Sequence, residues 1–375
     1  MSGQQTQSSN GQHVAVLAFP FGSHALTISS LMIKLASAAP NLEFSFFSTK
    51  KSNDSLFPAS KNNLPDNVRV YDIEDGLPNV KHASAVNDPL MFVELFLKAA
   101  PENFRRGLEL AAEETGRKIS CLITDIFLTF SEEIAGNMNV PWIPLSVAMP
   151  YGISAHIYTD LIRQLCIKCD NTNTTQLEEQ TLDVIPGLSM MRVSDVPDEI
   201  LLSDSLFAST LSKFGVVLPK ATAIVVNFFL ELYSSSQLEN DLKSKFPTML
   251  NVGFLTQPMP PPPLPPSHSD ETGCLRWLDG KKAKSVAYIS FGTVATPPPD
   301  ELMALAEALE ESGIHFLWSL RDDKLCLLPE NFLERTTNCG KIVPRAPQTQ
   351  VLGHSSTGCI CDTLRSKFSL RKHCK

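Results

Sequence analysis

Two residues in the first third of the chain have the types and positions for proton-transfer chemistry. His24 follows the apolar run HVAVLAF (13–19) in the turn PFGSH, and Asp125 ends the run CLITD. Runs of that length read as buried strands, so both side chains are expected at the carboxyl ends of strands, where open α/β sheets bind ligands. A His and an Asp so placed can form a general-base dyad. The carboxylate fixes the imidazole tautomer and stabilises its protonated form. Each residue also has a plainer reading: a loop histidine bonded to backbone, and an N-cap for a helix over IFLTFSEEIAG. Gly292 and Thr293, after SVAYISF, form a weaker pair. A small residue and a hydroxyl there let backbone N–H groups approach a phosphate. Cys166 and Cys169 make a C-x-x-C with no second pair or histidine cluster to complete a metal site.

The elements that must hold these residues are set by the apolar pattern. HVAVLAF is followed by ALTISSLMIKLASAA, where Leu26, Leu31, Ile33 and Leu35 predict a largely apolar helix. Strand-like runs recur at EFSFFST, VRVYDI, SCLITD, PWIPLS, AIVVNFF (223–229) and TMLNVGF, with helical stretches PLMFVELFLKAA and FRRGLELAAEE between them. Alternation of this kind predicts a buried, mainly parallel sheet. Seven prolines between Pro258 and Pro266 then forbid helix and sheet alike, which marks a linker. Beyond it the pattern restarts with GCLRWLDG, SVAYISF, a helix over DELMALAEALEESG and the strand HFLWSLR. In that helix Leu302, Leu305, Ala306 and Leu309 share a face, Thr296 lies in the N-cap region and Gly313 is a natural stop. About fifty residues remain after HFLWSLR, fewer than a second doubly wound domain of ordinary size needs.

Composition bounds the function. A chain of 375 residues suits two domains rather than one core. A net charge of −8 argues against nucleic acid, whose phosphates require clustered Lys and Arg. No apolar run is long enough to span a bilayer. The polar start MSGQQTQSSNGQ lacks the features of a secretory signal, and nine cysteines, an odd number, suit a reducing cytoplasm.

With these pieces placed, the chain resembles plant UDP-dependent glycosyltransferases of small molecules, most of all those acting on the 3-hydroxyl of flavonoids and anthocyanidins. FPFGSH, FGVVLPKATAIVVNFF, GCLRWLDGKKAKSVAYISFGTVATPPPDEL, ALEESGIHFLW and APQTQVLGHSSTG carry the resemblance, in the family's order, between His13 and Gly358. It implies the GT-B architecture of two Rossmann-like doubly wound domains, the second incomplete here. Residues 1–256 would form the acceptor domain, 257–270 the linker, 271–358 a partial UDP-sugar domain and 359–375 an aberrant basic tail. By motif position His24 matches the family's base and Asp125 its partner, with Ser23 and His156 in the acceptor pocket. Thr293 matches a phosphate contact, and Ala346 and Gln348 match positions reading the uracil and ribose. Arg345 stands where relatives carry a Trp that stacks on uracil; a guanidinium can stack, over less area. Ser146 and Val147 stand where many relatives have a Trp-Thr pair near the sugar. The implied reaction is inverting transfer of a hexose to a flavonoid, with the UDP-sugar as co-substrate, no metal or other cofactor, and a monomeric enzyme.

The chain leaves the family pattern after GHSSTG. Relatives continue with a segment of the kind VFVTHCGxNSxxES, which holds the pyrophosphate. Back-translated with suitable synonymous third bases and read from the second base, CICDTLRSKFSLRKHC becomes VFVTHCGANSVYESI. The agreement points to one extra nucleotide near the Gly358 codon, and to weakened donor binding in the product.

Overall fold

The computed structural model describes residues 11–57, 64–77, 89–169, 180–196, 200, 205–232, 235–255, 270, 272–291 and 297–362. The chain divides into two compact units, Met1–Pro258 and Met259–Lys375. The division falls inside the proline-rich segment.

The first unit is built on seven parallel strands: β1 (His13–Leu17), β2 (Glu43–Thr49), β3 (Val68–Ile73), β4 (Cys121–Asp125), β5 (Trp142–Ser146), β6 (Ile224–Val226) and β7 (Met249–Asn251). Their spatial order is β3-β2-β1-β4-β5-β6-β7. Side chains alternate across a strand, and in β1 the alternation feeds two separate cores. Val14 and Val16 join Ala25, Ile28, Met32 and Ala36 of the helix His24–Ala38 in one core. Ala15 and Leu17 join Phe96, Phe104 and Leu108 of the helix Pro89–Thr115 in another, on the opposite face. Burial on both faces explains why these strands read as continuous apolar runs. Each large side chain so buried contributes about 1.5–3 kcal/mol relative to exposure. Inside the sheet, Trp142 donates its Nε1–H to Thr124 Oγ1 at 2.9 Å, so the indole is buried without an orphaned donor.

Several expectations are adjusted. In the helix His24–Ala38 the core face is Ala25, Ile28, Leu31, Met32 and Ala36, whereas Leu26 is 48% and Leu35 37% exposed. Two small residues, Ala25 and Ala36, and three large ones, Ile28, Leu31 and Met32, share that face at i, i+3, i+4 spacing. PLMFVELFLKAA and FRRGLELAAEE belong to one helix, Pro89–Thr115, with Pro101 inside it. The strand within AIVVNFF is limited to Ile224–Val226. The helix after Asp125 begins only at Ser131.

The second unit carries four parallel strands: β8 (Val286–Ser290), β9 (His315–Ser319), β10 (Gly340–Val343) and β11 (Thr357–Asp362), in the order β10-β9-β8-β11. The helix Pro299–Ser312 buries Leu302, Ala306 and Leu309 and ends at Gly313, whose φ of 62° suits glycine. Asp270 opens the unit. Its carboxylate accepts the backbone N–H groups of Cys274 (2.9 Å), Leu275 (2.7 Å) and Arg276 (3.0 Å). Residues 359–362, expected in the aberrant tail, complete β11 against β8, with a bulge between Thr357 and Cys359. Thr293, Thr296 and residues 363–375 lie outside the described residues. Among the described residues no helix is long and apolar enough to cross a membrane.

Candidate active site

The first sheet reverses its winding between β1 and β4: from β1 the chain moves to β2 and β3 on one side, and from β4 to β5, β6 and β7 on the other. Crevices at such switch points, outside the carboxyl ends of the strands, are where open α/β sheets hold ligands. His24 comes after β1 and Asp125 ends β4, so the topology brings together residues 101 apart in sequence.

The turn after β1 uses Gly22, whose φ is +60°, to bend the chain before Ser23. His24 is then the first residue of the helix rather than a loop residue. Its Nδ1 lies 2.7 Å from Asp125 Oδ2. Since a carboxylate only accepts, Nδ1 carries the hydrogen and Nε2 keeps its lone pair. Asp125 is fully buried, and its other oxygen, Oδ1, accepts the N–H of Phe127 at 2.9 Å. The capping role expected of Asp125 is therefore present too, on a tight turn rather than on a helix. Both oxygens are held, which fixes the carboxylate and through it the ring. The His24 side chain is 14% exposed, enough to meet a ligand while its partner is shielded.

An aromatic wall surrounds this pair. The Phe127 ring lies 4.6 Å from the imidazole of His24 and the Phe19 ring 5.2 Å from it, centroid to centroid. Phe19 also packs against Phe21, Phe96 and Phe127. Phe127 extends the cluster to Phe207 at 5.5 Å and to Phe214 at 6.0 Å. His156, on the helix Pro150–Ile157, meets Phe214 edge-on at 5.5 Å, so it belongs to the same cluster as His24. Its Nδ1 is enclosed without a hydrogen-bond partner. Burial pushes its pKa down to about 4, so the imidazole is neutral near pH 7. Ser23 is exposed and makes no side-chain cap bond; its carbonyl accepts both the N–H and the hydroxyl of Thr27. The aromatic wall was not anticipated from the sequence. Its signal was the phenylalanines flanking His24 and Asp125, in AFPF and DIFLTF.

In the second unit three of the four residues expected on the donor side come after β10. Arg345 is exposed, Ala346 packs beside the core that holds Val343 and Val351, and Gln348 opens the helix Gln348–Leu352. All three come after the carboxyl end of a parallel strand.

The chain is similar to known proteins in sequence and in fold. A family described as UDP-glucoronosyl and UDP-glucosyl transferase matches residues 204–362. An anthocyanidin 3-O-glucosyltransferase of Vitis vinifera is 46% identical over 94% of this chain and 75% of its own length. A flavonol 3-O-glucosyltransferase of Actinidia chinensis is 48% identical over 93% of this chain and 74% of its own. An anthocyanidin 3-O-galactosyltransferase of Rhododendron delavayi is 48% identical over 93% and 75%. The crystal structure of a UDP-glucose:anthocyanidin 3-O-glucosyltransferase in complex with UDP superposes with a TM-score of 0.83 at 42% identity, covering 95% of this chain and 77% of that one. The fold is thus that of the GT-B glycosyltransferases. With its dyad at the switch point of the first sheet and relatives this similar over most of their length, the chain belongs to the UDP-glycosyltransferase family.

Proposed function

We propose that the protein transfers a hexose from a UDP-sugar to the 3-hydroxyl of a flavonoid, a flavonol or an anthocyanidin, with inversion at the anomeric carbon. The observation that carries this reading is the 2.7 Å hydrogen bond between His24 Nδ1 and Asp125 Oδ2, which leaves Nε2 as a free base beside an aromatic wall. The acceptor's 3-hydroxyl gives its proton to Nε2 as its oxygen bonds to the anomeric carbon. The bond from that carbon to the β-phosphate oxygen breaks, and UDP departs with the electron pair. Asp125 stabilises the imidazolium that forms, as an anion hydrogen-bonded to a developing cation. The partly exposed ring of Phe127, backed by the buried Phe19, offers flat apolar surface to a planar polyphenol, and the neutral imidazole of His156 adds a polar group to the same cluster.

On the donor side the reading assigns Thr293 to the phosphates and Arg345, Ala346 and Gln348 to the uridine. It makes the protein a monomeric cytosolic enzyme whose UDP-sugar is a co-substrate. The test is incubation of the purified chain with UDP-glucose and quercetin, followed by chromatography. Quercetin 3-O-glucoside is expected from the wild type and none from His24→Ala. Quercetin binding without turnover would favour an acceptor-binding protein with no transfer activity instead.

A further inference from the structure

One ring of the aromatic wall is held from far away in the sequence. The helix Leu206–Ser212 is capped by Ser205, whose Oγ accepts the N–H of Ala208 at 2.9 Å. The first N–H of that helix, on Leu206, is donated to Glu94 Oε1 at 3.1 Å, across 112 residues of sequence. First-turn N–H groups have no partner within their own helix, and the positive end of the helix favours a carboxylate there. Glu94 therefore supplies what Ser205 alone does not. Glu94 sits on the part of the helix Pro89–Thr115 that precedes Pro101, close in sequence to Phe96. The residue after Leu206 is Phe207, whose ring meets Phe127 edge-on at 5.5 Å. Phe127 in turn lies on His24 and donates its N–H to Asp125. Two ring contacts separate the helix that Glu94 anchors from the base.

We propose that Glu94 is a positioning residue of the acceptor site: by anchoring the start of the 206–212 helix it holds Phe207 against Phe127 and fixes the aromatic wall beside His24. The inference rests on the flavonoid reading above and names what sets the shape of that pocket. Loosening the helix start lets Phe207 withdraw, which weakens binding of a flat acceptor while leaving the His24–Asp125 bond intact.

The experiment measures quercetin binding to the full chain by fluorescence, without donor, so that turnover is not required. Glu94→Ala is expected to raise Kd about three- to ten-fold, the range of one partly exposed charge-assisted hydrogen bond. Glu94→Gln keeps an acceptor oxygen and should stay within about two-fold of wild type. In a Phe207→Ala background, Glu94→Ala should add nothing, because the ring it positions is gone. A merely structural role predicts the opposite on both counts: equal losses in Gln and Ala, and an undiminished loss in the Phe207→Ala background. Either of those results overturns the inference, as does wild-type binding with unchanged affinity in Glu94→Ala. Absence of quercetin binding by the wild type overturns the flavonoid reading, and this inference with it.

Discussion

Replacing Asp125 by Asn tests the dyad with almost no change in volume. Asp125 is fully buried and makes two hydrogen bonds, accepting Nδ1–H of His24 at 2.7 Å and the N–H of Phe127 at 2.9 Å. An Asn has one oxygen and one amide group. If the oxygen stays on Phe127 N–H, the amide faces Nδ1 and donates to it, forcing the hydrogen onto Nε2, where a base is needed. Two effects then add. A charge-assisted hydrogen bond to the imidazolium contributes about 1.5–3 kcal/mol, which is roughly ten- to 150-fold in rate. The wrong tautomer costs more on top, and in a serine hydrolase triad the corresponding amide lowers kcat about 10⁴-fold. Asp125→Asn is thus expected to lower kcat by about 10³ or more, and Asp125→Ala, which leaves the tautomer free, by roughly 10–150-fold. Initial rates of glucoside formation at saturating UDP-glucose and quercetin measure both. Nitrogen-15 NMR of His24 reads the tautomer independently of turnover. An Asn variant with its hydrogen still on Nδ1, or with activity within about two-fold of wild type, would refute the reasoning.

Other outcomes are equally specific. His156 is held neutral by burial, with its pKa pushed down to about 4, below its unfolded value. The unfolded chain therefore binds this proton more readily, so the stabilisation is complete above about pH 6.5 and is lost as pH falls toward 4; its full extent is about 3 kcal/mol. His156→Phe should flatten the denaturant midpoint between pH 4.5 and 7, and an unchanged slope would count against the assignment. Asp270→Ala removes the acceptor of three N–H groups at the start of the second unit and is expected to lower its stability by about 1–2 kcal/mol in urea titrations. The codons of Cys359–Cys374, once sequenced, should be compatible with VFVTHCGANSVYESI in the shifted frame; a single incompatible codon rejects the inserted nucleotide.

Much of the fold was legible because buried parallel strands leave an unmistakable apolar signature: seven of the nine runs read as strands lie in the first sheet. The dyad was legible for a related reason. Once HVAVLAF and CLITD are read as strands, their carboxyl ends are fixed, and His24 and Asp125 stand there. The aromatic wall was harder. Phe127, Phe207 and Phe214 come from a turn and two short helices separated by some eighty residues, and no local periodicity links them. In the helix His24–Ala38 the apolar composition was legible but the buried face was not: it runs through Ala25, Ile28, Leu31, Met32 and Ala36, while Leu26 and Leu35 stay exposed. The fused helix Pro89–Thr115 escaped because Pro101 reads as a break, whereas packing of Phe96 and Phe104 on either side holds both halves in one element.

The winding of the first sheet also has a bearing on how the chain acquires its chemistry during synthesis. β1 can pair with β2 soon after both emerge, but its other neighbour, β4, arrives only after the long helix ending at Thr115. The imidazole of His24 consequently gains its carboxylate when the central long-range pairing closes, a slow event in a parallel topology. The Nδ1 hydrogen bond of that one histidine, followed by NMR on a refolding chain, reports the moment the two halves of the sheet join.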